Sequence, residues 1–84
     1  MKLSQFRNFI AVVEAGTFRQ AAKKLNLSQS SISKSIQQLE DDLGTPMLHR
    51  GIHGVVPTDA GKVLLAHAKA IEAELRHARS DVQM

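Results

Sequence analysis

The positions of helix stop and start signals constrain the fold of this 84-residue chain more than any other feature. Gly16 can end a first helix, and Thr17 follows at once as the N-cap of a second, with Gln20 completing a Thr-x-x-Gln capping box. Asn26 can adopt the left-handed conformation that ends the second helix, and Ser28 is a strong N-cap for a third. The sequence therefore predicts three helices separated by tight turns.

Apolar residues recur every three or four positions within each predicted helix, which is the pattern of one buried face. The expected inward residues are Phe6, Phe9, Ile10, Val13, Phe18, Ala21, Ala22, Leu25, Ile32, Ile36, Leu39 and Leu43. Leu27 is expected to be buried in the turn before the third helix. Gly44 ends that helix, and Pro46 prevents it from resuming.

The helical period is lost between Thr45 and Pro57. Two short extended pieces there flank a loop bracketed by Gly51 and Gly54, which predicts a small β-hairpin. Thr58 then caps a final helix that is expected to continue to the end of the chain.

The final predicted helix carries a heptad seam, whose members are separated by alternating steps of four and three. The seam residues are Leu64, Ala68, Ile71, Leu75, Ala78 and Val82. At 1.5 Å per residue the helix extends roughly 40 Å, more than so small a domain can cover. We expect no partner for this seam within the chain. We therefore predict a homodimer through a linker helix of residues 58–84, which follows a separate domain of residues 1–57.

Charge and composition narrow the function classes. Six basic residues precede Leu39 against Glu14 alone, so the first half carries +5 although the whole chain carries only +3. A basic face concentrated in this way suggests a polyanion as partner. The absence of cysteine removes any sign of a disulfide-stabilised secreted protein. No signal-peptide pattern or membrane-length apolar run is present, so we expect a cytoplasmic protein with no membrane partner.

The outer face of the third predicted helix consists of hydrogen-bonding residues, with no carboxylate before Glu40. Its members are Gln29, Ser30, Ser33, Lys34, Gln37 and Gln38. A helix fits the DNA major groove, where a glutamine such as Gln29 can pair with an adenine edge. Three helices followed by a two-stranded wing and a long linker helix are the plan of a mainly α, winged helix-turn-helix fold. In that plan Arg50 and His53 would contact phosphates or the minor groove.

These stretches resemble the N-terminal DNA-binding domain of LysR-type transcriptional regulators over nearly the whole chain. The matching segments are residues 9–18 with Ala21-Ala22, residues 25–33, residues 36–44, Leu48 and Arg50 in the wing, and residues 57–61. The resemblance implies a bacterial regulator that binds an interrupted palindromic operator in double-stranded DNA as a dimer, with antiparallel linker helices. It also implies that a small-molecule effector binds a C-terminal domain outside this chain, and that the chain itself needs no cofactor.

The cap positions and the resemblance together define a set of candidate DNA-binding residues. They are Thr17, Ser28, Gln29, Ser30, Ser31, Ser33, Lys34, Gln37, Arg50, His53 and Thr58. Two of them depart from the family pattern. Ser30 replaces a usual proline and restores a backbone donor. His53 stands where the family usually has a basic residue at the wing tip, often Arg, so we expect a weaker contact there.

Two other classes of function are compatible with parts of the sequence. A winged-helix module for protein–protein interaction would use the same fold or the heptad seam without DNA. An enzyme is disfavoured, because the serines of the third helix have no nearby His-Asp pair. A metal site is disfavoured as well, because His67 and His77 are ten residues apart on one helix.

Overall fold

The computed structural model describes residues 1–83, which form four helices and a two-stranded antiparallel sheet. The elements in chain order are α1 (Leu3–Ala15), α2 (Phe18–Leu25), α3 (Gln29–Leu43), β1 (Leu48–Gly51), β2 (Gly54–Pro57) and α4 (Asp59–Val82). This order confirms the predicted mainly α, winged helix-turn-helix plan with its long final helix. Met84, the last residue assigned to the linker helix, lies outside the described residues.

The predicted caps set the helix boundaries. The hydroxyl of Thr17 accepts a hydrogen bond from the backbone of Gln20 at 3.0 Å, and the hydroxyl of Ser28 accepts one from Ser31 at 3.1 Å. Asn26 adopts the left-handed conformation with φ 57°. The Gln20 side chain is exposed, and among the described contacts it does not accept a hydrogen bond from the backbone N–H of Thr17. Only one of the two hydrogen bonds of the expected capping box therefore forms. Local hydrogen bonding thus explains where α2 and α3 begin.

The core lies where α1, α2 and α3 meet the hairpin, and it is aliphatic apart from Phe9. Its side chains with no exposed surface include Phe9, Val12, Ile32, Ile36 and Leu39. Two expectations about this core were wrong. Leu27 is 46% exposed, because the turn is closed by the bond from its own backbone N–H to Ala22 at 2.9 Å and not by burial of its side chain. Leu43 is also exposed, since it lies in the last turn of α3.

The hairpin of β1 and β2, hereafter the wing, is fastened to the turn between α1 and α2. The backbone N–H of Val55 donates to the carbonyl of Gly16 at 2.8 Å. Gly54 has φ 121°, and a Cβ at this position would overlap the same carbonyl oxygen. Because only glycine tolerates both conditions, Gly54 allows the wing to approach this turn closely.

The start of α4 is fastened to the loop between α3 and the wing. Thr58 donates its backbone N–H to Met47 at 3.0 Å and its hydroxyl proton to the carbonyl of Pro46 at 2.8 Å. The same hydroxyl caps the helix by accepting from Gly61 at 2.9 Å. Gly61 is buried, and a Cβ there would overlap the Met47 carbonyl. Thr58 and Gly61 therefore fix the direction in which α4 leaves the domain.

The expectation that the whole seam of α4 lacks a partner in its own chain was wrong. Ala68 has no exposed surface, and Leu64 packs half-buried against the core. The side of α4 that carries these residues is covered by the chain itself because α4 packs along α1. The later seam residues Ile71, Leu75, Ala78 and Val82 are exposed. The domain boundary at residue 57 stays a prediction.

None of the helices within residues 1–83 combines the length and the apolar character that crossing a bilayer requires.

Candidate nucleic-acid interface

The N-terminus of α3 presents a cluster of three serine hydroxyls. Ser28 donates its hydroxyl proton to the Ser31 hydroxyl at 2.8 Å and lies 3.1 Å from the Ser30 hydroxyl. All three side chains are exposed. The unpaired amides of a first helical turn and the positive end of the helix dipole favour an anion at this position. Small hydroxyl side chains there let a phosphate come close to the backbone.

One face of α3 continues from this cluster as a polar surface. Gln29, Lys34 and Gln37 are exposed, and Ser33 is half-buried. The Gln37 amide donates to Asp41 at 3.0 Å, so part of its hydrogen-bonding capacity is used within the helix. No described residue forms an ion pair with Lys34, and its ammonium group is therefore available to a ligand.

Gln38 is exposed, as the helical period predicts, but its side chain is hydrogen-bonded to α1. Its side-chain oxygen accepts from the Gln5 amide of α1 at 3.3 Å. The reason is tertiary: α1 lies beside this edge of α3 and offers a buried donor. Gln38, like Gln37, is therefore an exposed residue with part of its hydrogen-bonding capacity used within the protein.

The wing, the start of α2 and the start of α3 enclose an open cleft of about 450 Å³. Four of the predicted site residues line it: Thr17, Gln29, Arg50 and His53. They come from different parts of the chain, and the contact between the wing and the turn at Gly16 helps to bring them together. The cleft therefore lies between the predicted recognition helix and the wing, the two parts of a winged helix-turn-helix domain expected to contact DNA.

Arg50 of the wing is held in the wall of this cleft by contacts with α2 and α3. Its guanidinium carbon lies 4.7 Å from the ring centroid of Phe18, and its Nη2 lies 3.8 Å from Oε1 of Glu40. The other carboxylate oxygen of Glu40 accepts from the backbone of Met47 at 2.8 Å. The Arg50 side chain is still 47% exposed. It therefore ties the wing to α2 and α3 while part of its guanidinium group faces solvent.

Thr58 lies outside this cleft. It lines a separate surface next to Pro46 and His49, and its hydroxyl proton is already donated to Pro46. Thr58 thus joins the start of α4 to the loop before the wing. A contact of this residue with DNA stays a prediction.

Two residues of the cleft were missed by the sequence reasoning. Arg19 follows the N-cap Thr17 by two positions, and its side chain is exposed at the cleft. Ile52 lies at the wing tip with 97% of its surface exposed. The sequence signals were present, since a basic residue in the first turn of a helix and an apolar residue inside a Gly-bracketed loop both depart from the usual pattern.

Residues 1–83 contain no group of three or more His, Cys, Asp or Glu side chains arranged to hold a metal ion.

Comparison with known proteins places this geometry in a family. Residues 3–62 match the family model described as bacterial regulatory helix-turn-helix protein, lysR family. Over 80 residues the chain is 44% identical to the SDS degradation transcriptional activation protein of Pseudomonas sp. (strain ATCC 19151), covering 95% of this chain and 26% of that protein. The chain thus spans about a quarter of the length of the curated relatives it matches.

Two solved structures share the fold at high similarity. A crystal structure of the CbnR DNA-binding domain in complex with DNA is 41% identical, with a TM-score of 0.88 over 99% of this chain and 94% of that one. The BenM DNA-binding domain in complex with catB site 1 DNA is 35% identical, with a TM-score of 0.95 over 99% of this chain and 93% of that one. The matched residues include α1, α2, α3 and the wing, and the chain belongs to the LysR family of bacterial regulatory helix-turn-helix proteins.

Proposed function

We propose that this chain binds double-stranded DNA in a sequence-specific manner as part of a transcriptional regulator. The observation that carries the proposal is the cleft between the wing and α3. Its lining includes Arg19, Arg50 and His53, and within the described part of the chain it contains no carboxylate. A surface of this kind attracts phosphates, and the adjacent polar face of α3 supplies groups that can read bases.

In this proposal α3 lies in the major groove. Gln29, Ser30, Ser33, Lys34 and Gln37 face the base edges and the nearest phosphates, while the serine cluster at Ser28 and Ser31 receives a phosphate at the helix end. Thr17 lies at the same side of the cleft, and its hydroxyl proton is free to bind a second phosphate. The proposal is consistent with the CbnR and BenM domains, both of which were crystallised with DNA.

The wing contacts the flanking backbone or minor groove through His53 and the exposed part of Arg50. Arg19 joins this set because it lines the same cleft. The DNA contact of Thr58 stays part of the proposal, although its hydroxyl also fastens α4.

We further propose that the protein acts as a homodimer on an interrupted palindrome. The exposed seam residues Ile71, Leu75, Ala78 and Val82 would pair with those of a second chain, because an apolar strip of this kind is best covered by another helix. We propose an antiparallel pair, because this arrangement opposes the two helix dipoles. A small-molecule effector would bind a C-terminal domain of longer family members, and we propose neither a cofactor nor catalysis for this chain.

Selection of duplexes from a random DNA pool, followed by binding titrations at several salt concentrations, tests the proposal. We expect an enriched motif with two-fold symmetry and an affinity that falls steeply as salt rises, with a slope of about −0.9 for each phosphate contacted. Failure to enrich any motif would contradict sequence-specific binding.

A protein-interaction module is the alternative, and one observation favours it. An open groove of about 330 Å³ lies among α1, α2 and α4. Its lining combines four apolar residues with six charged ones of both signs: Ile10, Ala11, Leu25, Leu75, Arg7, Glu14, Lys24, Glu72, Arg76 and Arg79. The apolar part of such a contact is less sensitive to salt than binding through phosphates. A partner protein bound with a flat salt dependence, together with no DNA motif, would favour this alternative.

A further inference from the structure

Two side-chain hydrogen bonds join α1 to α3 in a regular pattern. The Gln5 amide donates to the side-chain oxygen of Gln38 at 3.3 Å, and the Asn8 amide donates to the Ser35 hydroxyl at 2.9 Å. Moving three residues forward on α1 moves the partner three residues back on α3. The two bonds are therefore successive rungs, about one helical turn apart, between antiparallel helices. We call these four residues the α1–α3 ladder.

Gln5 is committed to this arrangement at both ends of its amide. Its side chain is buried, with 5% of the residue exposed, and it is the polar exception in the core of residues 1–83. Its oxygen accepts from the backbone N–H of Lys2 at 2.9 Å, which leaves the nitrogen to donate to Gln38. A buried amide with both ends paired accepts few alternative arrangements, because any shift leaves a polar group unsatisfied.

The ladder lies beside the core-facing stripe of α3 and not within it. At 100° per residue, Ser35 and Gln38 flank Ile32, Ile36 and Leu39 on the edge that faces α1. Apolar packing along the stripe is non-directional and fixes which face of α3 is buried. Directional bonds at one edge resist rotation of the helix, because turning α3 about its axis separates donors from acceptors.

We propose that the α1–α3 ladder positions the recognition helix, so that Gln5, Asn8, Ser35 and Gln38 set the rotation of α3 in the major groove and thereby the choice among DNA sequences. The inference rests on the proposed DNA-binding function. Base edges are read by bonds that require correct alignment, whereas phosphate contacts contribute affinity with little sequence information. Loss of the ladder therefore reduces discrimination between sequences more than it reduces binding to DNA in general.

The test compares two duplexes of equal length and composition: the best duplex selected from the random pool and a scrambled version of it. The variant S35A combined with Q38M removes both acceptors while keeping the size of the side chains similar. The discrimination ratio is the dissociation constant for the scrambled duplex divided by that for the selected duplex. We expect this ratio to fall by about tenfold, which is the effect of one mismatched base pair. The affinity for the scrambled duplex should change by less than about twofold, because phosphate contacts persist.

A conservative variant separates positioning from general destabilisation. Q38E keeps an oxygen that accepts from Gln5, so it should retain most of the discrimination ratio that the double variant loses. Its added negative charge should weaken binding to both duplexes alike. S80A removes a serine hydroxyl from the exposed end of α4 and serves as the control with an unchanged ratio. Residual dipolar couplings of α3 amides, measured without DNA, should fit a rotated or averaged helix in the double variant and a single orientation in the parent chain.

The outcomes distinguish the two proposals. If the parent chain enriches no DNA motif, the proposed function fails and the ladder loses its role in discrimination with it. If the parent chain enriches a motif but the folded double variant keeps the full ratio and unchanged couplings, the ladder proposal alone is overturned. An equal loss of affinity for both duplexes would overturn it too. Should the double variant unfold, S35A alone provides the same comparison, since Ser35 is only half-buried.

Discussion

The guanidinium group of Arg50 lies over the ring of Phe18, with 4.7 Å between the guanidinium carbon and the ring centroid. Arg50 belongs to the first strand of the wing, and Phe18 is the first residue of α2. A cation above an aromatic face is attracted by the ring electrons. This contact, together with the Glu40 carboxylate beside it, couples the wing to the helix-turn-helix unit.

The coupling between these two residues is measurable in a double-mutant cycle. With the variants R50A and F18L, we expect a coupling free energy of about 0.5–1 kcal/mol in urea unfolding, the range of partly exposed cation–aromatic contacts. R19A with F18L is the control pair, because Arg19 is an exposed neighbour with no described contact to the ring. Strict additivity of R50A and F18L would contradict the finding.

Gly54 should tolerate no side chain. G54A places a Cβ against the Gly16 carbonyl at a positive φ, so we expect a loss of at least about 2 kcal/mol in the free energy of unfolding. G51A is the matched control at the other side of the loop, where the nearest atom to a Cβ is 3.9 Å away. Thermal melts of the two variants compare them directly, and equal melting temperatures would refute the close approach of the wing.

Lys34 should act through a phosphate. K34A removes one positive charge from the exposed face of α3, and we expect the slope of log affinity against log salt to flatten by about one unit. K69A is the control, since Lys69 lies on α4 and is 3.8 Å from Glu14. An unchanged slope for K34A would assign the side chain to a base edge or to no contact at all.

Replacing His53 with arginine should strengthen the contact between the wing tip and DNA. H53R places a permanent charge at the exposed wing tip, so we expect tighter binding and a salt slope steeper by about one unit. The comparison variant is H53Q, which keeps a polar side chain without charge. If H53R binds DNA no better than H53Q at low salt, the wing tip does not reach the phosphates.

Dimer formation should depend on the exposed part of the α4 seam. I71E and L75E place charge on that part, and we expect sedimentation to show monomers at concentrations where the parent chain is dimeric. V63E is the matched control, because Val63 is an exposed apolar residue of the same helix outside the seam. Dispersal by V63E but not by I71E would place the pairing surface on the opposite side of α4.

The parts of the fold that could be predicted from the sequence are those set by neighbouring residues. Thr17, Ser28 and Thr58 each cap the helix that follows them, and a hydrogen bond spanning three residues is visible in the sequence. Periodicity likewise identified Ile32, Ile36 and Leu39 as buried. These features need no knowledge of which elements pack together.

The expectations that failed depend on tertiary packing. Ala68 lies on a regular heptad, but α1 already covers it, and a period alone does not distinguish a partner in the same chain from one in another. Leu27 is apolar, yet the turn needs only its backbone. The sequence indicates that Gln38 is exposed, but not that it accepts a hydrogen bond from Gln5 of α1. At the interface, the sequence indicated Arg50 but not the contacts with Phe18 and Glu40 that hold it.

The junction between the wing and α4 leaves little freedom for bending. Thr58 is bonded to both Met47 and Pro46, and Gly61 lies against the Met47 carbonyl. Because α4 is attached rigidly, it keeps a fixed orientation relative to its own domain. In a dimer, the crossing angle of the two α4 helices would therefore set the distance between the two recognition helices. The spacer between half-sites should therefore be nearly invariant: inserting about five base pairs turns one half-site to the far side of the duplex, where the rigid junction cannot follow it.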